Sequence, residues 1–200
     1  MGETIYYLRC CLILKIIVVM MLYRVDKRKF EVGETITPKT TFENTFEGEK
    51  KEVEEMLNQN RVSGIPKRKD CLFLFRDLMC ALQFYKKYGG IIYGVSIKSG
   101  SQIYYKGDMN KLDNILDIFR FSEDEDLRNA AVNEYWKTGT HTFFPCYEVL
   151  VSSACVEKVL IGDNLRETVK EEIESRGGSI ERTPTYRRLL CEVYGECENA

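Results

Sequence analysis

Two hundred residues suffice for one domain with a substantial core. A net charge of −2 excludes a chain that binds nucleic acid or an anionic membrane through its overall field, and the short basic run Lys67-Arg68-Lys69 reads as a solvated loop. Eight cysteines without a Cys-x-x-Cys pair, and a single histidine, argue against a zinc site on the usual spacings.

Residues 1–20 read as an apolar extension. Ile5 to Tyr23 is largely apolar, but Arg9 and Lys15 interrupt it, Glu3 falls where a signal peptide would be basic, and no small-residue cleavage site follows. A weak membrane or interface anchor, an extra core-packing element and residues upstream of a natural start near Met20-Met21 all stay open. Stable membrane insertion is not expected, because a span needs about 20 uninterrupted apolar residues.

Leu22 to Val25 has the length and composition of a short buried strand, and Gly33 and Pro38 punctuate the stretch after it. Phe46 to Asn58 is charged and helical, with Phe46, Val53, Met56 and Leu57 available for one face. A loop over 62–70 precedes the apolar strand Cys71 to Phe75. Asp77 to Tyr88 is a helix with Leu78, Ala81, Leu82 and Tyr85 at helical spacing, stopped by Gly89-Gly90. Ile91 to Ile97 is a buried strand that Gln102 to Tyr105 extends. Asp108 is expected to cap a helix through Phe119, and Ser122 with Glu125 to open another ending near Trp136. Tyr147 to Val151 and Val156 to Ile161 are the last strands. Asp163 caps a charged helix ending near Gly177-Gly178, and a helical segment over Tyr186–Tyr194 closes the chain.

Strands and helices mix without regular alternation, which predicts an α+β domain with a largely antiparallel or split sheet. The glycine-rich fingerprints of dinucleotide and triphosphate sites are absent. Cys71, Cys80, Cys146 and Cys155 sit among apolar residues as small hydrophobes. Cys191 and Cys197 are placed to pair, although nothing requires it. The expected setting is reduced and cytoplasmic.

Three segments occur in a suggestive order: Leu22-Tyr-Arg-Val-Asp26 followed by Gly33 and Pro38, then Leu72-Phe-Leu-Phe75 running through a helix into Ile92-Tyr-Gly-Val-Ser-Ile97, then Tyr147-Glu-Val-Leu-Val151. This order over residues 21–162 resembles the ADP-ribosyltransferase fold, especially small prokaryotic or phage members similar to rifampicin-modifying enzymes and DNA-targeting toxins. Residues 163–200 then form a C-terminal helical extension.

The resemblance implies a split, largely antiparallel sheet with flanking helices, and NAD as substrate. Arg24, with Tyr23 beside it, falls on the strand that anchors the cofactor, where a guanidinium fork suits ribose or pyrophosphate oxygens; the plainer alternative is an ion pair with Asp26. Phe73 or Phe75 would stack on nicotinamide, or both are plain core. Glu148 falls on the catalytic position, where a fixed carboxylate stabilises the oxocarbenium-like transition state; otherwise it is an outward-facing strand residue.

His141, in the Thr140-His-Thr142 loop, and Cys146 fall where the acceptor is recognised. The family's usual Glu or Gln is missing at position 146, so modification of protein arginine is not supported. The implied reaction is ADP-ribosyl transfer to an unidentified protein, nucleic-acid or small-molecule acceptor. A non-catalytic binding module of the same fold is the alternative.

Overall fold

The computed structural model describes residues 21–39 and 47–195. Phe46, Cys197 and the apolar extension of residues 1–20 lie outside them. The described residues form seven strands, β1 (Leu22–Asp26), β2 (Thr35–Ile36), β3 (Leu72–Phe75), β4 (Ile91–Ser96), β5 (Ile103–Asp108), β6 (Tyr147–Val151) and β7 (Ala154–Ile161). Six helices accompany them: α1 (Glu49–Gln59), α2 (Leu78–Tyr88), α3 (Lys111–Phe121), α4 (Glu125–Trp136), α5 (Arg166–Ser175) and α6 (Pro184–Tyr194). One sheet runs β2-β7-β4-β1-β3-β6-β5 with every pairing antiparallel. The domain is therefore α+β around an antiparallel sheet.

That sheet cannot be flat. Only Ser152 and Ser153 separate the end of β6 from the start of β7, a reach of at most about 11 Å. Four strand spacings lie between β6 and β7 in the sheet order, roughly 19 Å in a flat sheet. The sheet must curl until those ends meet. The bend has an evident hinge, since β1 and β3 share a single residue pair, Tyr23 with Phe75, whereas β1 and β4 pair along their whole length.

Curling creates an inner and an outer face. Leu72, Leu74, Val149 and Val151 from one half meet Leu22, Tyr93, Val95 and Val156 from the other in an inner cluster. On the outer face, α2, α5 and α6 pack Leu82, Val169 and Leu189 against Tyr23, Val25 and Ile161. The helices α5 and α6, expected as an extension, thus share the sheet's own core. The second outer cluster packs Leu57 of α1, Ile115 of α3 and Trp136 of α4 over Tyr105 and Leu150.

Two expected caps are corrected. Asp108 does not cap α3; it ends β5, fully buried, and its carboxylate accepts four hydrogen bonds, from Asn110 N, Thr142 N, Thr142 Oγ1 and Cys146 N. The cap of α4 is Asp124, which accepts from the amides of Asp126 and Leu127, while Ser122 accepts from Asp124 N. The run Lys67-Arg68-Lys69 is also not a solvated loop, because Arg68 is only 2% exposed. Two carboxylates hold it there, as described below. No helix among the described residues is long and apolar enough to cross a membrane.

Candidate functional site

Strand alternation decides where each candidate side chain points. Register pairs Leu22 with Val95 and Arg24 with Tyr93, all of them on the inner face. Phe75 pairs with Tyr23 and with Glu148, and Phe73 with Leu150, so these five side chains share the outer face. Arg24 and Glu148 therefore project from opposite faces and do not converge on one cleft. The same parity separates Tyr23, Phe73 and Phe75 from Arg24.

Each of these residues has its own employment. Arg24 donates to Asp26 Oδ2 through Nε at 3.1 Å and Nη2 at 2.9 Å, and through Nη1 to the Phe73 carbonyl at 2.9 Å. It bridges the gap where β1 and β3 part. Arg28 reaches the same carboxylate at 2.8 Å. Burial alone would raise the Asp26 carboxyl, but the hydrogen bonds from Arg28 and the charge of Arg24 bring it down to about 2. Tyr23 Oη lies 2.7 Å from Tyr194 Oη of α6. Phe75 packs its ring 5.2 Å from that of Phe84. The guanidinium of Arg68 stacks 4.8 Å from the Phe73 ring.

Glu148 is 1% exposed and sits in a polar cluster under α1 and α4. Tyr135 Oη donates to its Oε1 at 2.6 Å, and Arg68 Nη1 lies 3.6 Å from the same oxygen. Arg68 also donates to the Tyr135 hydroxyl, stacks between the Phe73 and Tyr135 rings, and binds Glu54 through Nε at 3.2 Å. Opposite Glu148 stands Gly107, where any Cβ would run into the Tyr105 ring. Burial pushes the Glu148 carboxyl up to about 7, and the attraction of Arg68 offsets this only in part. Its Oε2 is buried without a hydrogen-bond partner.

The inner face holds a pocket of about 550 Å³, in the range of small-molecule sites. Its wall combines Leu22 and Val149 with Arg76, Lys106, His141 and Tyr147. Tyr147 is flanked on two sides: the Arg76 guanidinium lies 5.2 Å from its ring centroid, and the His141 ring packs edge-on at 5.0 Å. Neither Arg76 nor Lys106 pairs with a carboxylate among the described residues, and both are exposed. Glu148 adjoins this wall through its place on β6, the only acidic residue to do so among the described residues, but its carboxylate is turned to the other face. The Thr138–Gly139 turn and His141 are held against the pocket by Asp108, through its bonds to Thr142 and Cys146.

Of the residues expected from the sequence, His141 lines this pocket and Glu148 borders it. Arg24 shares its face without lining it, and Tyr23, Phe73 and Phe75 lie behind the sheet. Cys146 is buried in the outer cluster with α2 and does not line the pocket. Arg76, Lys106 and Tyr147 belong to no motif in the sequence, although Tyr-Tyr-Lys-Gly in an alternating strand puts Lys106 opposite the apolar side of Tyr105. No group of His, Cys, Asp or Glu side chains among the described residues is gathered for a metal ion.

The chain matches no family model and no curated protein. Its function must be argued from this geometry.

Proposed function

We propose that the chain is a binding module of the ADP-ribosyltransferase kind, whose pocket takes the pyrophosphate of a nucleotide, with NAD the first candidate. The observation that carries this reading is the pair Arg76 and Lys106, both exposed on the pocket wall and neither in a salt bridge with a carboxylate among the described residues, with the Arg76 guanidinium 5.2 Å from the half-buried Tyr147 ring. Two cations beside an aromatic face suit a ligand that joins phosphates to flat rings. The leucine and valine side chains of the wall supply the apolar surface such a pocket needs.

Glycosidic cleavage asks more. A carboxylate must face the sugar carbon as nicotinamide departs, and the Glu148 carboxylate faces Arg68 and Tyr135 instead. The binding module is therefore preferred to the transferase. One observation favours the second reading: Glu148 borders the pocket wall, and its Oε2 has no partner to hold it. Transfer to an acceptor would then require the carboxylate to reach the pocket face of β6, the face opposite the one it now occupies.

Calorimetric titration with NAD+ and ADP-ribose tests the first reading. Saturable binding that Arg76→Ala with Lys106→Ala abolishes supports it, and absence of binding to the wild-type chain overturns it. Incubation with NAD+ separates the two readings. Nicotinamide release that Glu148→Gln removes would establish the transferase.

A further inference from the structure

We propose that the loop carrying Phe143 and Phe144 docks the protein on an anionic lipid surface, peripherally and without a spanning segment. The two rings do not line the pocket described above, and the inference does not depend on which nucleotide binds there.

Phe143 is 90% exposed and Phe144 77%, the only sequence neighbours among the large exposed hydrophobics of the described residues. Apolar side chains scattered singly over a surface are ordinary, whereas adjacent ones make a patch that gains by being covered. The two rings meet edge-on at 4.7 Å. Their backbone is tied down on both sides. Asp108 accepts from Thr142 N before the pair and from Cys146 N after it, and Asn110 Nδ2 donates to the Phe144 carbonyl at 2.6 Å. Pro145 fixes its own φ between them. The loop is thus held inward at its ends while its aromatic tip stands in solvent.

Charge and chain direction indicate what covers that tip. Residues 137–145 contain no carboxylate. Thr138, Gly139 and His141 of the same loop share the pocket rim with Arg76 and Lys106, the exposed cations that form no ion pair among the described residues. Leu22 belongs to that rim as well. The chain arrives at Leu22 from the apolar stretch that begins at Ile5, whose only charged residues are Arg9 and Lys15. An aromatic tip, unpaired cations and the approach of an apolar, cationic stretch therefore meet on one side of the domain. Peripheral proteins hold an anionic leaflet in this way, with rings at the acyl boundary and cations at the headgroups. The net charge of −2 adds no general attraction, so the contact is local. An acidic protein partner would match the cations but not the apolar approach.

Co-sedimentation of the full chain with vesicles of phosphatidylcholine, with and without phosphatidylserine, tests this in the absence of nucleotide. Binding is expected to require phosphatidylserine and to weaken as salt is raised. Phe143→Ser with Phe144→Ser should reduce partitioning by about tenfold or more, and Arg76→Gln with Lys106→Gln by roughly fivefold for each cation lost. Hydrogen exchange at the Phe143 and Phe144 amides of the wild-type chain should slow on the vesicles, a readout that needs no variant. The proposal is overturned if the wild-type chain stays in solution, if the double phenylalanine variant binds as well as wild type, or if exchange in the loop is unchanged on vesicles. It is equally overturned if sedimentation shows a dimer that the phenylalanine variant dissociates while vesicles are ignored, which would assign the tip to a second copy of the chain. Failure in any of these leaves calorimetric binding of NAD+ untouched, so the two readings fall separately.

Discussion

The guanidinium of Arg24 and the carboxylate of Glu148 project from opposite faces of the same sheet, separated by the parity of strands β1, β3 and β6. Arg24 closes the hinge by binding the Phe73 carbonyl and Asp26. Glu148 completes a buried cluster with Arg68 and Tyr135. The two residues act in structure, each on its own side, and the pocket takes its character from other side chains.

The Glu148 carboxyl, raised from 4.5 to about 7, predicts a measurable dependence of stability on pH. Between those values the folded chain holds a proton that the unfolded chain has lost. Stability from this group is therefore full below about pH 4.5 and falls as pH rises to 7, by roughly 3 kcal/mol. Urea unfolding of Glu148→Gln across pH 5–8 should lack that slope. An identical slope in the variant would assign the dependence to another group.

Arg68 stands between two carboxylates at 3% side-chain exposure. Arg68→Met leaves Glu54 and Glu148 facing each other without a counter-charge, and a loss of roughly 3–5 kcal/mol is expected. Arg68→Lys should not restore it, because an ammonium cannot lie flat between the Phe73 and Tyr135 rings while reaching both acids. Chemical denaturation measures both, and unchanged stability in either variant would contradict this account of the cluster.

Asp108 organises the loop that carries His141. Burial would raise its carboxyl, but the bonds from Thr142, Cys146 and Asn110 hold it below the usual range. Its contribution is present above the ordinary carboxylate pKa and is lost as pH falls through the lowered one. Asp108→Ala strands several donors, and a loss of roughly 2–4 kcal/mol follows. Limited proteolysis should then cut within residues 138–145 before anywhere else. Resistance equal to wild type would show that the loop is held by other means.

Lys106 tests the pocket's charge without touching the core, since its side chain is exposed on the inner face. Lys106→Glu is expected to weaken NAD+ binding by about tenfold or more, equivalent to about 1.4 kcal/mol, with the difference shrinking at high salt. Glu148→Gln should leave the same affinity within about twofold. Equal binding by wild type and Lys106→Glu would remove the pocket from consideration.

Element positions were legible without coordinates. The apolar runs at Leu22, Leu72, Ile91 and Tyr147 became strands β1, β3, β4 and β6, and the spacing of Leu78, Ala81, Leu82 and Tyr85 became the buried face of α2. Mixed order without alternation likewise favoured an antiparallel sheet over a doubly wound one, and the sheet is antiparallel throughout. These are local properties, set by periods of two and of 3.6 residues within a short window.

Only the tertiary structure decided which way each strand faced. In Tyr147-Glu-Val-Leu-Val151 both faces end up covered, so alternation alone cannot tell inside from outside. The answer came from register across β3 and from a two-residue link that forces the sheet to curl. The burial of Arg68 was equally invisible, because the acids that retain it come from Glu54 and Glu148, far away in the chain. Local pattern sets where the elements are, while the sides of a sheet are assigned only when distant segments pack and bring their charges together.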